Sequence, residues 1–246
     1  MTMAAAPEKI LTIASEFGAL RFAYPDSGNM GEHVRATLKG EVYPWPAVPE
    51  TYAFDAIVDI GANVGAAALW FAARKPRRLI CFEPAAGNVA LLRRNLAAVP
   101  GAEICPYGLW DRDETRPLFH GNNQVMQHSL VRSVETGAEA ETATLRRASA
   151  AFAELKIDAV SLLKIDTEGA EVAILRDLAA FLPRIDMIYI EYHSEADRRA
   201  IDALLPGFVL VRAEARHAHR GVNLYQAQRI VEAMPLHAAL ALGRPT

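Results

Sequence analysis

"AIVDIGANVGAAALWFAAR", residues 56–74, joins an apolar β-prone run to an alanine-rich helical run. The turn between them carries glycines at 61 and 65 and an aspartate at 59. In an open α/β sheet such a turn lies beyond the carboxyl end of a strand, where ligands bind and glycines let the backbone come close. The spacing Asp59-x-Gly61-x-Asn63-x-Gly65 departs from the dinucleotide fingerprint G-x-G-x-x-G. A carboxylate at this position would repel a pyrophosphate and would suit a cationic or amino-bearing ligand.

The next strand-like run, "RLICFE" (78–83), ends in Glu83, twenty-two positions after Gly61. An acid there can accept hydrogen bonds from ribose hydroxyls, whether the ligand is NAD or S-adenosylmethionine. Glu83 therefore separates the two poorly, and Asp59 separates them by charge. S-adenosylmethionine carries a sulfonium and an ammonium and no phosphate.

Outward from the turn, strand-like and helical segments alternate. Helix candidates cover 64–74 and 87–98, and "AEICPYGLW" (102–110) reads as a third strand and its exit. The polar section 111–147 reads as a hairpin-bearing insertion, followed by a short helix at 149–155. A strand over 159–166, a helix over 169–182, a strand over 186–193 and the helix "SEADRRAIDALL" continue the series. "FVLVRA" and "GVNLYQA" close it as an antiparallel edge hairpin. Repeated strand–helix units predict a doubly wound, mostly parallel α/β sheet, Rossmann-like, with a C-terminal antiparallel hairpin. Residues 1–53 do not fit the alternation and read as a turn-rich N-terminal cap on the substrate side. The main domain is expected over 54–230 and a tail over 231–246.

The 246 residues are 52% hydrophobic and 22% charged, the balance of a globular domain with material for a core. A net charge of −3 argues against a general nucleic-acid binder. The densest basic run, "RKPRR" (74–78), reads as a solvated turn. Cys81 and Cys105 lie in apolar runs, as core thiols do. No apolar stretch approaches a membrane span, and the N-terminus lacks a signal-peptide pattern, so the expected compartment is the cytoplasm. An apolar face in "ILTIASEFGALRFAY" (10–24) would support a homodimer.

"VDIGANVG" (58–65), "CFEP" (81–84), "LLRRNL" (91–96) and "LLKIDTEGAE" (162–171) resemble the signature blocks of the FkbM-type S-adenosylmethionine-dependent methyltransferases, within the class I methyltransferase fold. The last block is the most specific. The wider class I pattern has glycine where Asn63 stands, and the FkbM-type pattern shares the asparagine. The resemblance implies that Asp59, Gly61, Asn63 and Gly65 hold the methionine and ribose side of the cofactor. It gives Glu83 the ribose diol, Gly108 and Leu109 the adenine, and Asp166 a place beside the sulfonium. Trp110 reads equally as an adenine stack or a core residue, and Asp113 as an adenine contact or a solvated turn. The family chiefly methylates hydroxyl groups, so a small-molecule or glycan acceptor is implied.

The candidate catalytic residues are Asp166, Glu191 and His193. Glu191 and His193 share a strand face by their i, i+2 spacing. His193 is the expected proton acceptor, since a histidine near neutral pKa suits the deprotonation of an alcohol. A divalent metal held by Asp166, Glu191 and His193 is the less favoured alternative, and His128 is a reserve base. Glu168 and Glu171 read as cleft residues or as first-turn carboxylates favoured by the helix dipole. The competing functions are N-methylation of an amine, a non-catalytic cofactor-binding module, and an NAD(P)-dependent oxidoreductase.

Overall fold

The computed structural model describes residues 7–15, 18–26, 28–121, 124–129, 136–217 and 219–234. The chain opens with β1 (Glu8–Ser15), β2 (Gly18–Pro25) and α1 (Met30–Leu38). It continues through β3 (Ala56–Ile60), α2 (Ala66–Ala72), β4 (Arg78–Phe82), α3 (Ala86–Asn95) and β5 (Ala102–Cys105). Next come β6 (Gly108–Trp110), β7 (Glu114–Gly121), β8 (Gln124–Ser129), β9 (Thr136–Arg147) and α4 (Ala148–Glu154). The closing series is β10 (Leu162–Ile165), α5 (Glu171–Asp177), β11 (Met187–Tyr192), α6 (Glu195–Leu204), β12 (Phe208–His217), β13 (Arg220–Ala227) and α7 (Gln228–Glu232).

Among the described residues, seven strands form the central sheet in the order β12-β13-β11-β10-β3-β4-β5. The run from β11 to β5 is parallel, whereas β13 and β12 are antiparallel, which is the predicted edge hairpin. Strands covered on both faces read as continuous apolar runs, and every residue of β3 is buried. Its side chains alternate between two cores. Val58 and Ile60 join the core that contains Phe152, Ile174 and Ile201 of α4, α5 and α6. Ile57 joins the one that contains Val34, Phe71 and Leu92 of α1, α2 and α3. Cys81 and Cys105 are free and buried.

The sequence reading is corrected at 102–110 and at 1–53, and its hairpin-bearing insertion is given a sheet. "AEICPYGLW" is two strands in two sheets, because Pro106 has no N–H to continue the ladder: β5 pairs with β4, and β6 runs parallel to β9. The 111–147 section builds the antiparallel β7–β8 and β7–β9 pairs of that second sheet. Residues 1–53 contain the β1–β2 hairpin and α1 as well as turns. Leu11, Phe22 and Tyr24 pack into this chain's own core, and Ile10 remains 50% exposed. The apolar N-terminal face is thus mostly used within the chain. In the "RKPRR" turn, Arg77 pairs with Asp55 at the surface.

Candidate active site

The β3–α2 turn bends through left-handed backbone at three consecutive alternate positions. Gly61 has φ +79°, and a Cβ there would overlap the backbone carbonyl oxygen of Asp166. Gly65 has φ +92°, with Leu92 Cδ1 2.7 Å from where a Cβ would stand. Asn63 has φ 50°, a region asparagine tolerates better than most residues. Its Oδ1 accepts from Val64 N at 2.7 Å. The turn is fixed from β4: Glu83 Oε2 accepts from Asn63 N at 2.8 Å. Glu83 Oε1 accepts from Ala85 N at 3.0 Å and from Asn88 Nδ2 at 3.2 Å. A carboxylate has about four acceptor positions, and the protein uses three of them. Glu83 faces the cleft with capacity left for about one further strong donor, fewer than a full diol grip requires.

Beneath the turn, Lys164 stands opposite Asp59 in the β10–β3 register. Its Nζ donates to Asp59 Oδ1 at 2.8 Å and to the Gly61 carbonyl at 3.0 Å. Burial opposes the lysine's charge, but Asp59 and Asp166 outweigh it and raise its pKa. Asp59 is fully buried and does not line the cleft. Its charge is answered by Lys164, so it acts on a ligand through the shape of the turn. This corrects the expectation that a bare carboxylate there selects the cofactor by repulsion.

Asp166 follows β10, and its Oδ2 accepts from Tyr43 at 2.9 Å. Burial works against its ionisation, but Lys164, the Glu191 carboxyl and Tyr43 hold it well below the usual carboxylate range. Burial and the adjacent Asp166 push Glu191 well above that range. Both line a cleft of about 600 Å³ together with Gly61, Asn63, Glu83, Asn88, Gly108, Leu109 and Lys164. His193 is not among the lining residues. Its Nε2 lies 3.5 Å from Glu171 Oε1 and 3.7 Å from Glu191 Oε2, and its Nδ1 lies 3.8 Å from Glu168 Oε2. Burial opposes its charge, but Glu171 and Glu168 raise its pKa. Glu171 and Glu168 thus favour the protonated imidazole at this position.

Glu171 belongs to its own loop, accepting from Thr167 N at 2.8 Å, Thr167 Oγ1 at 2.9 Å and Gly169 N. Trp110 is buried and carries Arg116 over its ring. Asp113 accepts from Arg147 N at the start of α4. Neither lines the cleft. The side chain of His128 lies outside the described residues.

The Methyltransferase FkbM domain profile matches residues 59–226. The chain belongs to the FkbM methyltransferase family. It is 31% identical over 202 residues to the AMB antimetabolite synthetase AmbE of Pseudomonas aeruginosa, a match covering 63% of this chain and 10% of that protein. The chain thus spans about a tenth of AmbE's length. It is 26% identical over 185 residues to the 2-O-methyltransferase NoeI of Sinorhizobium fredii, covering 63% of this chain and 72% of that one. In fold it is similar to the solved structure of Escherichia coli yhhF, with TM-score 0.52 and 15% identity over 90% of this chain and 98% of that one. The fold is that of the class I methyltransferases, and the family is one of methyltransferases whose implied cofactor is S-adenosylmethionine.

The FkbM cleft fits that cofactor. Glu83 retains acceptor capacity, and the buried Asn88 Oδ1 beside it has no hydrogen-bond partner among the described residues, so donors of a nucleoside are suited there. The proposed adenine residues Gly108 and Leu109 line the same cleft, and Pro84 lies 3.5 Å from where a Cβ of Gly108 would stand. A divalent cation fits less well. The ligand atoms of Asp166, Glu191 and His193 lie within 4.8 Å of one another. However, Lys164 Nζ is 3.9 Å from Asp166 Oδ2, and Arg220 Nε is 3.6 Å from Glu191 Oε1.

Sequence reasoning missed Lys164, Tyr43, His33, Arg216 and Arg220, which shape this site. Lys164 carried a signal, since a lysine inside "LLKI" is out of place in a buried strand unless it is paired. His33 and Tyr43 come from the segment outside the strand–helix alternation. The protein around His33 lowers its pKa, with Arg216 and Lys164 adding to the effect against the pull of Asp166.

Proposed function

We propose that this FkbM methyltransferase methylates a hydroxyl group of a small molecule or glycan. The observation that carries the reading is the junction of the turn with the end of β10. Gly61 packs on the Asp166 backbone, while the Asp166 carboxylate, held by Tyr43, faces the cleft beside it. The name of the NoeI relative points the same way.

S-adenosylmethionine, when bound, supplies an electrophilic methyl group. In the proposed mechanism Glu83 and Asn63 orient the nucleoside. The Asp59–Lys164 pair holds the Gly61 carbonyl and with it the turn. Asp166 accepts from a second donor of the acceptor molecule and so aims the reacting oxygen for in-line displacement, leaving that oxygen's own proton to the base. Glu191, whose carboxyl lies beside Asp166, fixes its orientation. His33 faces the same cleft as a neutral imidazole and takes the proton, while His193 positions Glu191 and Glu171. The 1–53 segment, through His33 and Tyr43, and the 111–147 insertion, through Leu118, supply the acceptor walls. An amine acceptor is disfavoured, because an ionised Asp166 would stabilise the ammonium form, which has no lone pair.

The test is incubation with S-adenosylmethionine and matched panels of hydroxylated and amino acceptors, with products read by mass spectrometry. A methyl ether is expected, with a 10²–10³-fold loss in Asp166→Asn, in the range of a lost transition-state contact. Turnover excludes a non-catalytic module, and an N-methyl product would sink the hydroxyl reading.

A further inference from the structure

Among the described residues, Arg216 is a cleft cation with a buried N–H that no protein acceptor meets. In the β12–β13 ladder Ala215 pairs with Gly221 and His217 with Arg220, so Arg216 is the bulged residue. A bulge re-aims a side chain away from the strand's alternation and recurs beside binding sites. Here the side chain reaches the cleft and is 24% exposed. Its Nη2 is buried without a hydrogen-bond partner among the described residues. Glu214 Oε1 stays 3.6 Å from its Nε, and Glu214 Oε2 accepts from Arg212. The other cations of the cleft differ: Lys164 is bound to Asp59, and Arg220 Nη2 donates to Glu168 at 2.6 Å.

A buried guanidinium N–H with no acceptor is costly, and its geometry matches the paired oxygens of a carboxylate or phosphate. The sheet order indicates which molecule brings the oxygens. The glycine turn and Glu83 belong to β3 and β4, whereas Arg216 comes from β12, three strands beyond β10. At about 4.8 Å per strand that is roughly 14 Å across the sheet, on the side away from the nucleoside.

We propose that Arg216 anchors an oxyanion carried by the methyl acceptor, so that the substrates are hydroxylated molecules bearing a carboxylate or phosphate. This rests on the acceptor reading above and names its substrate class. The other source of such an anion is the carboxylate of the cofactor's methionine portion, and the experiment separates the two. Calorimetry is run on the full chain, first with S-adenosylhomocysteine and then, on the saturated complex, with inorganic phosphate. Wild type is expected to bind phosphate saturably, Arg216→Gln to lose at least tenfold and Arg216→Lys to fall between, with S-adenosylhomocysteine affinity unchanged in both. Unchanged cofactor-product binding also shows that the variants are folded. Absent phosphate binding in wild type, or equal binding in Arg216→Gln, overturns the proposal and leaves the methyltransferase reading standing. A tenfold loss of S-adenosylhomocysteine affinity in Arg216→Gln overturns it in favour of the cofactor's own carboxylate. Failure of wild type to bind S-adenosylhomocysteine overturns both readings.

Discussion

Lys164 and Asp59 face each other across two adjacent parallel strands, Nζ to Oδ1 at 2.8 Å, with side chains 4% and 0% exposed. The same ammonium also holds the Gly61 carbonyl, so one buried ion pair fastens the turn to the strand that delivers Asp166.

Lys164→Met would leave Asp59 buried without its partner, a change that costs about 3–5 kcal/mol in comparable cases. Denaturant unfolding should show a loss of that order. The double variant Lys164→Met with Asp59→Asn should recover part of it, because no uncompensated charge remains. A double variant as unstable as the single one would refute the pairing account.

Glu83→Ala removes an acceptor at the nucleoside end and the anchor of the Asn63 amide. A charge-assisted bond is worth about 1.5–3 kcal/mol, so S-adenosylhomocysteine should bind roughly ten- to a hundredfold more weakly. Calorimetry gives the answer, and wild-type affinity in the variant would remove Glu83 from the nucleoside site.

The pH–rate profile distinguishes the histidines. A base works only when deprotonated, so activity falls below its pKa. With His33 as proton acceptor, the acid limb of kcat/KM should lie below the ordinary histidine value of 6.5, and it should disappear in His33→Gln. An acid limb above 6.5 that vanishes in His193→Gln instead would return the role to His193.

His193 should also leave a mark on stability. Its folded pKa is raised, so the imidazolium's contribution is fully present below the unfolded value near 6.5. That contribution is lost as pH climbs through the higher folded value. The difference in Tm between wild type and His193→Gln should therefore be greatest below pH 6.5 and shrink above it. A difference that grows with pH would contradict the sign.

The parallel core was legible in the sequence because its strands are buried on both faces and read as unbroken apolar runs, "AIVDI" being the clearest. Gly61, Asn63 and Gly65 were legible because left-handed backbone restricts which residues can stand there. The proton chemistry was not. Whether His193 is a base depends on Glu168 and Glu171, whose closeness comes from the fold of the "DTEGAE" loop and not from spacing. His33 and Arg216 were invisible for a related reason: a helix outside the alternation and a bulge on the edge strand bring them in.

The loop that Glu171 closes upon itself bears on how chains of this kind diverge. Its carboxylate is engaged by Thr167 and Gly169, residues of the very block that marks the family most sharply. Thr167, Gly169 and Glu171 form a clasp whose hydrogen bonds are turned inward, while Asp166 and Glu168 of the same block face the cleft. In the proposed reading the contacts that choose the acceptor come from α1 and from the far edge of the sheet, outside that clasp. In that reading a change of acceptor is written in α1 and the edge strand, with "DTEGAE" left as it stands.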